Sequence, residues 1–356
     1  MTLRIGVDAW NLRADRRGIG RYVREIVRRW AAQPQRARVS LLVPERATWF
    51  ARTGYLRELG AGELAVRHRT AARALDVVWY PWNGMSWVAG RTSVATLHDA
   101  SLFTLPPPDA AVCEREQRPF RLAAAVAQRI ITDSQFSKSE LLRHLGLDPD
   151  SVDVIHLGVN SVFAHAGQAP SGLAGPANGP YVLFVGEPEE RKGMATLIDA
   201  MALLPEGLRQ ETELVIAGAT GQYPMPIVPP SVRVRSLGWV EDATLACLYA
   251  GARALVYPSR YEGFGLPIVE AMAAGTPVVA ADVPGLREAG GEAALYVAPG
   301  DAAGLAAALE RVLSEPALAA ELVRRGRLRA AELSWDTTAQ KTLAVLERAA
   351  AEAPRS

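Results

Sequence analysis

The sequence predicts an α/β protein built as two parallel-sheet domains, and three observations carry that prediction. Short apolar, β-branched runs alternate with longer helical patterns along the whole chain, the pattern of strands covered by helices on both faces. At 356 residues the chain is too long for one ordinary core and suits two domains of roughly 150 to 180 residues each. A stretch rich in Gly, Ala and Pro without steady periodicity, residues 160–179, separates two series of such runs and reads as a linker.

Taken in order, the first series places strands at 3–8, 38–43, 76–80, 93–97, 129–132 and 152–156. The second places them at 181–185, 213–217, 232–235, 253–257 and 277–280. The two series share a layout without obvious repetition, which predicts two Rossmann-like domains facing one another across a cleft. Ser334-Trp335-Asp336 opens a final helix after the second sheet is complete, with Asp336 as its N-cap. A surplus helix needs a surface to pack on, and the first domain is the natural one. The expected boundaries are therefore 1–165, 166–333 and a terminal helix 334–356 that crosses back. In open parallel sheets ligands sit beyond the carboxyl ends of strands, which draws attention to the loops after 3–8, 93–97, 181–185, 213–217 and 253–257.

Composition narrows the function. A hydrophobic content of 49%, 22% charged residues and a formal net charge of +1 exert no bulk electrostatic pull toward nucleic acid. Cys113 and Cys247 lack a CxxC partner, which argues against a disulfide frame or thiolate metal site and fits a reducing cytoplasm. The start, MTLRIGVDAWNL, reads as a strand running into polar residues rather than an export signal. No apolar run approaches the ~20 residues that span a bilayer.

The segment SRYEGFGLPIVEAM, 259–272, follows an apolar strand as a glycine-rich loop and enters a helix with Pro267 in its first turn, where a missing N–H costs nothing. Loop and helix start together favour phosphate. Glu262 lies on the loop and Glu270 about one turn into the helix. A carboxylate accepts two hydrogen bonds side by side and so matches the paired hydroxyls of a ribose or hexose. The plainer alternative makes Glu262 a helix cap and Glu270 an exposed helical residue. Ile268, Val269, Ala271 and Met272 flank Glu270, however, and a carboxylate in so apolar a setting usually has an assigned partner.

In VLFVGEPEERKGMATLIDAM, 182–201, a strand and a glycine lead to Arg191 and Lys192 just before a helix. Cations at that edge suit a diphosphate, which gains negative charge as its sugar bond breaks; the alternative is a solvated charge cluster. In VATLHDASLF, 94–103, His98 and Asp99 follow a strand of the first domain, either on a sugar or acceptor or as structural residues. In NLRADRRGIGRYVREIVRRW, 11–30, Gly18 and Gly20 precede a helix whose residues Ile19, Tyr22, Val23, Ile26, Val27 and Trp30 share one face. Arg21, Arg24, Arg28 and Arg29 occupy the rest, solvated or in contact with anionic acceptor or lipid phosphates. No GxxxxGK[ST] is present, Gly18-Ile19-Gly20 lacks the third glycine of a dinucleotide site, and the single Asp-x-Asp, Asp148-Pro149-Asp150, sits in a turn. A P-loop kinase, NAD binding and a catalytic metal are thereby disfavoured.

Together GIGRYVREIV, LHD, ITDSQFSKSELLRHLG, VIHLGV, the VGE...RKG loop, LGWVEDATLACLYAGARALVYPSRYEGFGLPIVEAMAAGTPVVAADVPGLREAGGEAALYV and SWDTTAQKTL resemble a GT-B glycosyltransferase of the large retaining family 4, the glycosyl transferases group 1, over nearly the whole chain. The resemblance implies that Glu270 meets the nucleotide ribose and Glu262 the donor-sugar hydroxyls, with Gly263, Phe264, Gly265 and Leu266 near sugar and phosphates. It implies further that Arg191 and Lys192 neutralise the diphosphate with help from the Gly186 amide, and that His98 approaches the transferred sugar. Gly18 would let its loop come close to donor and acceptor, and backbone around Gly238, Trp239 and Val240 would form part of the base pocket. Where many relatives carry Arg directly after the loop glycine, this chain has Glu187; the adjacent Arg191-Lys192 pair is similar to mannosyl and rhamnosyl transferases.

The expected activity is metal-independent transfer of a hexose, with retention, from a nucleotide-diphosphate sugar to an acceptor hydroxyl. No cofactor is expected, and GDP-mannose is the first choice of donor, with UDP and dTDP sugars behind it. The acceptor is a glycan, a lipid-linked sugar or a small molecule, met in the cytoplasm or, through the basic face of helix 18–31, at the inner membrane surface. The alternatives are a nucleotide-sugar epimerase of the same fold and a non-catalytic nucleotide-sugar-binding subunit.

Overall fold

The computed structural model describes residues 2–15, 18–44, 53–56, 59, 64–165, 179–218 and 221–352. The chain divides into two compact units: Met1–Gly158 together with Trp335–Ser356, and Val159–Ser334.

The first unit is built on β1 (Leu3–Asp8), β2 (Ala37–Val43), β3 (Ala65–His68), β4 (Val77–Tyr80), β5 (Ser93–Thr96), β6 (Arg129–Thr132) and β7 (Val152–Val154), in the order β3-β2-β1-β4-β5-β6-β7. Every neighbouring pair is parallel. β1, β4 and β5 are buried along most or all of their length, which is why each reads as an unbroken apolar run. β3 was not foreseen: it is an edge strand of four residues, AVRH, with one buried position, so it carries no apolar signal.

The helix Gly18–Ala31 buries Tyr22, Val23, Ile26, Val27 and Trp30. Its arginines tie it to its surroundings. Arg24 donates to the Asp15 carbonyl at 2.7 Å, Arg28 to the Leu59 carbonyl at 3.3 Å, and Arg29 to Glu25 and Asp336 at 2.6 Å each. The helix Trp335–Glu352 packs on this helix and over β4, β5 and β6. Asp336 sits in its first turn rather than capping it. The Trp30 indole donates to the Ala339 carbonyl at 3.0 Å, and Thr338 to the His156 carbonyl at 2.8 Å. Trp79 meets Trp30 and Tyr22 at ring-centroid distances of 5.2 and 5.6 Å, and Trp335 lies 6.2 Å from Tyr22.

The second unit holds β8 (Tyr181–Val185), β9 (Glu213–Ala217), β10 (Val234–Ser236), β11 (Ala254–Tyr257), β12 (Val278–Ala281) and β13 (Leu295–Val297), all parallel, in the order β10-β9-β8-β11-β12-β13. Helices cover both faces. Met194, Leu197, Ile198, Met201, Leu305 and Leu309 fill one side; Tyr249, Ile268, Met272 and Leu286 fill the other. Each such side chain taken from water is worth about 1.5–3 kcal/mol. The chain passes between the units before the linker expected at 160–179, since the second unit already begins at Val159. Ser161–Ala164 form a helical turn whose Phe163 is buried in the second core, 5.7 Å from the Tyr249 ring. Residues 166–178 lie outside the described residues.

In both sheets the order reverses next to the first strand laid down: between β1 and β4 in the first unit, between β8 and β11 in the second. Connections on the two sides of a reversal diverge and leave a crevice beyond the carboxyl ends of the two strands.

Candidate functional site

The loops that follow β8 and β11 meet at the reversal point of the second sheet. After β8 the chain turns at Gly186, whose φ of 138° belongs to glycine, and forms the short 3-10 helix Glu190–Lys192. Gly193 then closes the loop at a φ of 71°, and a Cβ there would stand 2.3 Å from the Pro258 carbonyl oxygen. That contact presses the β8 loop against the start of the β11 loop. Backbone bonds add to it, since the Arg260 amide donates to the Arg191 carbonyl at 2.8 Å and Arg191 Nη1 to the Tyr261 carbonyl at 2.9 Å.

Lys192 and Glu262 sit at the centre. Lys192 Nζ donates to Glu262 Oε1 at 2.6 Å and to the Tyr257 hydroxyl at 2.9 Å. Arg191 Nη1 stands 3.6 Å from the same carboxylate oxygen and binds Glu189 at 2.6 Å through Nη2. Burial alone pushes the Glu262 carboxyl up, but Lys192 and then Arg191 more than reverse this and hold it below its usual 4.5. Lys192 is likewise disfavoured by burial and held above its ordinary range by the Glu262 charge. Both groups are therefore ionised at neutral pH, a buried pair of opposite charges with a second cation, Arg191, beside it.

The β11 loop enters the helix Leu266–Ala274 at Gly265, whose φ is 109° and whose Cβ would lie 2.5 Å from Leu286 Cδ2. Gly263 and Phe264 are buried under this turn. Gly285 of the neighbouring helix Pro284–Gly290 closes on the Glu262 carbonyl, with room for no side chain: a Cβ would lie 2.1 Å from that oxygen. Glu270 is 2% exposed, and the Tyr249 hydroxyl donates to its Oε2 at 3.1 Å. The solvated version of Glu270 is thus excluded; its surroundings are buried and hydrogen-bonded. At the ends of β8, β9 and β10 three glycines stand together. The Gly218 amide donates to the Gly238 carbonyl at 2.7 Å, and Val240 packs against the core behind them.

Two residues depart from expectation. The Gly186 amide donates to the Ala217 carbonyl at 2.8 Å, so it continues the sheet ladder instead of pointing at a ligand. His98, 7% exposed in the first unit, has both ring nitrogens engaged: Nδ1 with Asp133 Oδ2 at 2.8 Å and Nε2 with the Pro81 carbonyl at 3.1 Å. Burial works against a charge on the ring, but both partners are acceptors, and Asp133 raises its pKa above 6.5. Asp99 accepts from Ser101 and organises the turn that follows. Gly18 opens the first helix and is exposed; Gly20, not Gly18, is the glycine that packing demands, since a Cβ there would meet the Asp15 carbonyl at 1.9 Å.

Tyr257, Gly193 and Gly285 were not foreseen as parts of the site. Tyr257 is the last residue of β11, and the period-two rule together with its place beside Pro258 marks it as the strand end from which a side chain reaches the crevice.

Residues 171–329 match the family model described as glycosyl transferases group 1, and residues 16–163 match that of Glycosyltransferase Family 4. An O-antigen chain mannosyltransferase B of Escherichia coli is 33% identical over 267 residues, which span 70% of this chain and 69% of that protein. A D-inositol 3-phosphate glycosyltransferase of Frankia alni is 33% identical over 281 residues, spanning 72% and 69% respectively. An MMP alpha-(1->4)-mannosyltransferase of Mycolicibacterium hassiacum is 34% identical over 230 residues, but the chain covers only 54% of its length. Among solved structures, a sucrose-phosphate synthase from Thermosynechococcus elongatus superposes with a TM-score of 0.72 over 99% of this chain and 100% of its own, at 23% identity. Anabaena Alr3699/HepE, solved in complex with UDP-glucose, gives 0.72 over 98% and 100% at 19% identity. These last likenesses concern the fold.

Proposed function

The chain belongs to the family 4 glycosyltransferases, and from that premise we propose that it transfers a hexose from a nucleotide-diphosphate sugar to an acceptor hydroxyl, with retention and without a metal ion. The observation that carries this is the cation pair at the reversal point of the second sheet, with Lys192 fixed between Glu262 and Tyr257 and Arg191 beside it. Breaking the bond between sugar and diphosphate moves negative charge onto the departing phosphate oxygens. Preplaced ammonium and guanidinium groups stabilise that charge without having to reorganise. A diphosphate oxygen then takes the acceptor proton as the new bond forms on the same face of the sugar. Glu262 has lone pairs beyond the one given to Lys192 and accepts from donor-sugar hydroxyls; Glu270 takes the ribose. Contact of His98 with the sugar requires Nε2 to exchange the Pro81 carbonyl for a hydroxyl, while Gly18 leaves the helix start bare for close approach.

For the donor we propose GDP-mannose first. The adjacent Arg-Lys pair and the mannosyltransferase names of two relatives support it. The acceptor is a glycan, free or lipid-linked; a lipid-linked one would bring the enzyme to the inner membrane surface. Among the described residues no helix is long and apolar enough to cross a membrane. The free thiols Cys113 and Cys247 suit the reducing cytoplasm, where we place the enzyme. The test is Lys192→Ala, assayed for sugar transfer with the best donor from a thermal-shift screen of GDP, UDP, dTDP and ADP. Turnover falls on the order of 100-fold or more if the ammonium stabilises the leaving group. Near-normal turnover would remove Lys192 from the mechanism.

A further inference from the structure

The chain carries 39 lysines and arginines, of which only Lys138, Lys192 and Lys341 are lysines. A protein that meets almost every need for positive charge with a guanidinium keeps an ammonium at the reversal point of its second sheet. The two cations differ in shape. A guanidinium offers five donors in a flat fork, whereas an ammonium offers three hydrogens spread around one nitrogen. At Lys192 two of the three are taken, one by Glu262 Oε1 at 2.6 Å and one by the Tyr257 hydroxyl at 2.9 Å. Tyr257 ends β11 and is itself 2% exposed. Its ring lies against the buried Phe184 of β8, with centroids 6.3 Å apart and planes 28° from parallel. β8 and β11 are paired neighbours, so the sheet sets the phenol in place before any ligand arrives. Burial and then the Glu262 charge push the Tyr257 hydroxyl up to about 12, and it stays neutral at physiological pH.

We propose that Tyr257 is a positioning residue: together with Glu262 it pins two hydrogens of the Lys192 ammonium and so aims the third at the diphosphate oxygen that gains charge as the sugar leaves. The proposal rests on the glycosyltransferase reading and deepens it by saying how the cation is directed. Glu262 alone would leave the ammonium free to swing about a single contact, and Arg191 Nη1, 3.6 Å from the same oxygen, competes for that carboxylate. A second anchor removes this freedom, and a donor already aimed needs no reorganisation in the transition state. The anchor is a neutral hydroxyl for a physical reason. A second carboxylate at this place would cancel the positive charge that a diphosphate needs, whereas a phenol accepts the hydrogen and leaves the charge whole.

Two variants of the full-length enzyme separate direction from charge. Tyr257→Phe keeps the ring on Phe184 and removes only the oxygen; Lys192→Arg keeps the charge and removes the three-way geometry. Both lower kcat about tenfold or more, the size of one charge-assisted hydrogen bond, while the donor KM changes less than about threefold. Retention of the Tm shift given by the preferred nucleoside diphosphate shows that the variants are folded. The ammonium is also followed directly, by NMR of protein labelled with 15N-lysine. Lys341 is exposed and Lys138 donates to the Val152 carbonyl, so three signals at most are expected, and the one lost in Lys192→Arg is that of Lys192. In wild type it persists against exchange with water and shifts on addition of the nucleoside diphosphate; in Tyr257→Phe it broadens and the shift shrinks. Unchanged kcat in Tyr257→Phe, a loss confined to KM, full activity of Lys192→Arg, or a Lys192 signal indifferent to the hydroxyl overturns the proposal. If no donor supports transfer in wild type, the catalytic reading fails, while the ammonium spectrum still decides whether Tyr257 orients Lys192 on a bound diphosphate.

Discussion

Breaking the Lys192–Glu262 pair separates what holds the second unit together from what performs the chemistry. The two side chains are 15% and 10% exposed and meet at 2.6 Å. In Lys192→Met the Glu262 carboxylate loses its closest cation, and removing one member of a buried pair costs about 3–5 kcal/mol. Arg191 Nη1 at 3.6 Å compensates part of that charge, which puts the expected loss at the lower end, about 3 kcal/mol. For a domain of this size about 3 kcal/mol lowers Tm by roughly 6–12 °C. The double variant Lys192→Met/Glu262→Gln leaves neither charge uncompensated and recovers most of the loss, because a well-packed neutral replacement is often as stable as the pair. Urea unfolding followed by near-UV circular dichroism on wild type, both single variants and the double variant measures the cycle. Sugar transfer measured on the same four proteins completes it: the double variant regains stability and stays inactive. A Lys192→Met protein within about 1 kcal/mol of wild type, or a double variant no more stable than that single one, refutes the claim that the contact is a buried charge pair.

Other outcomes follow from the same geometry. The Glu262 pKa is depressed, so the stability it contributes is fully present above 4.5 and is lost as pH falls through the lower folded value; acid unfolding of wild type is therefore steeper than that of Glu262→Gln, seen as a difference in proton uptake. Gly193→Ala forces a Cβ to 2.3 Å from the Pro258 carbonyl at a φ of 71°, and we expect a loss of about 1–3 kcal/mol in chemical denaturation together with weaker nucleotide binding. The preferred nucleoside diphosphate at 100 times its dissociation constant stabilises the protein by ~2.7 kcal/mol, read as a Tm shift that is smaller in Lys192→Ala. Transfer continues in excess EDTA, and NMR of the product shows the donor's anomeric configuration retained.

Much of the second unit was legible because its strands are short and buried on both faces, which writes them as continuous apolar runs. Glu262, Arg191 and Lys192 were legible for the opposite reason: charges immediately after such runs have few structural purposes. Their mutual pairing was not, since nothing in the spacing says that Lys192 and Glu262, in different loops, share a contact. Periodicity fails for β3 and β13, an edge pair of strands with too few buried positions to leave a pattern. His98 stood where a ligand contact was expected, but hydrogen bonds to Asp133 and Pro81 depend on residues distant in sequence. The amide of Gly186 likewise belonged to the ladder with β9, and backbone donors leave no trace in side-chain identity. The linker misread has a compositional cause: Ser161–Ala164 open a stretch rich in Gly, Ala and Pro, and Val162 and Phe163, which attach it to the second core, are too few to show a period.

The last helix closes the first unit although the whole second unit is translated before it. While the chain is still on the ribosome, Trp30 waits for a carbonyl more than three hundred residues downstream, and Tyr22 for the indole of Trp335. The newborn protein therefore finishes its second half first, and a chain clipped before Trp335 keeps an unhealed aromatic seam that quality-control proteases and chaperones are suited to find.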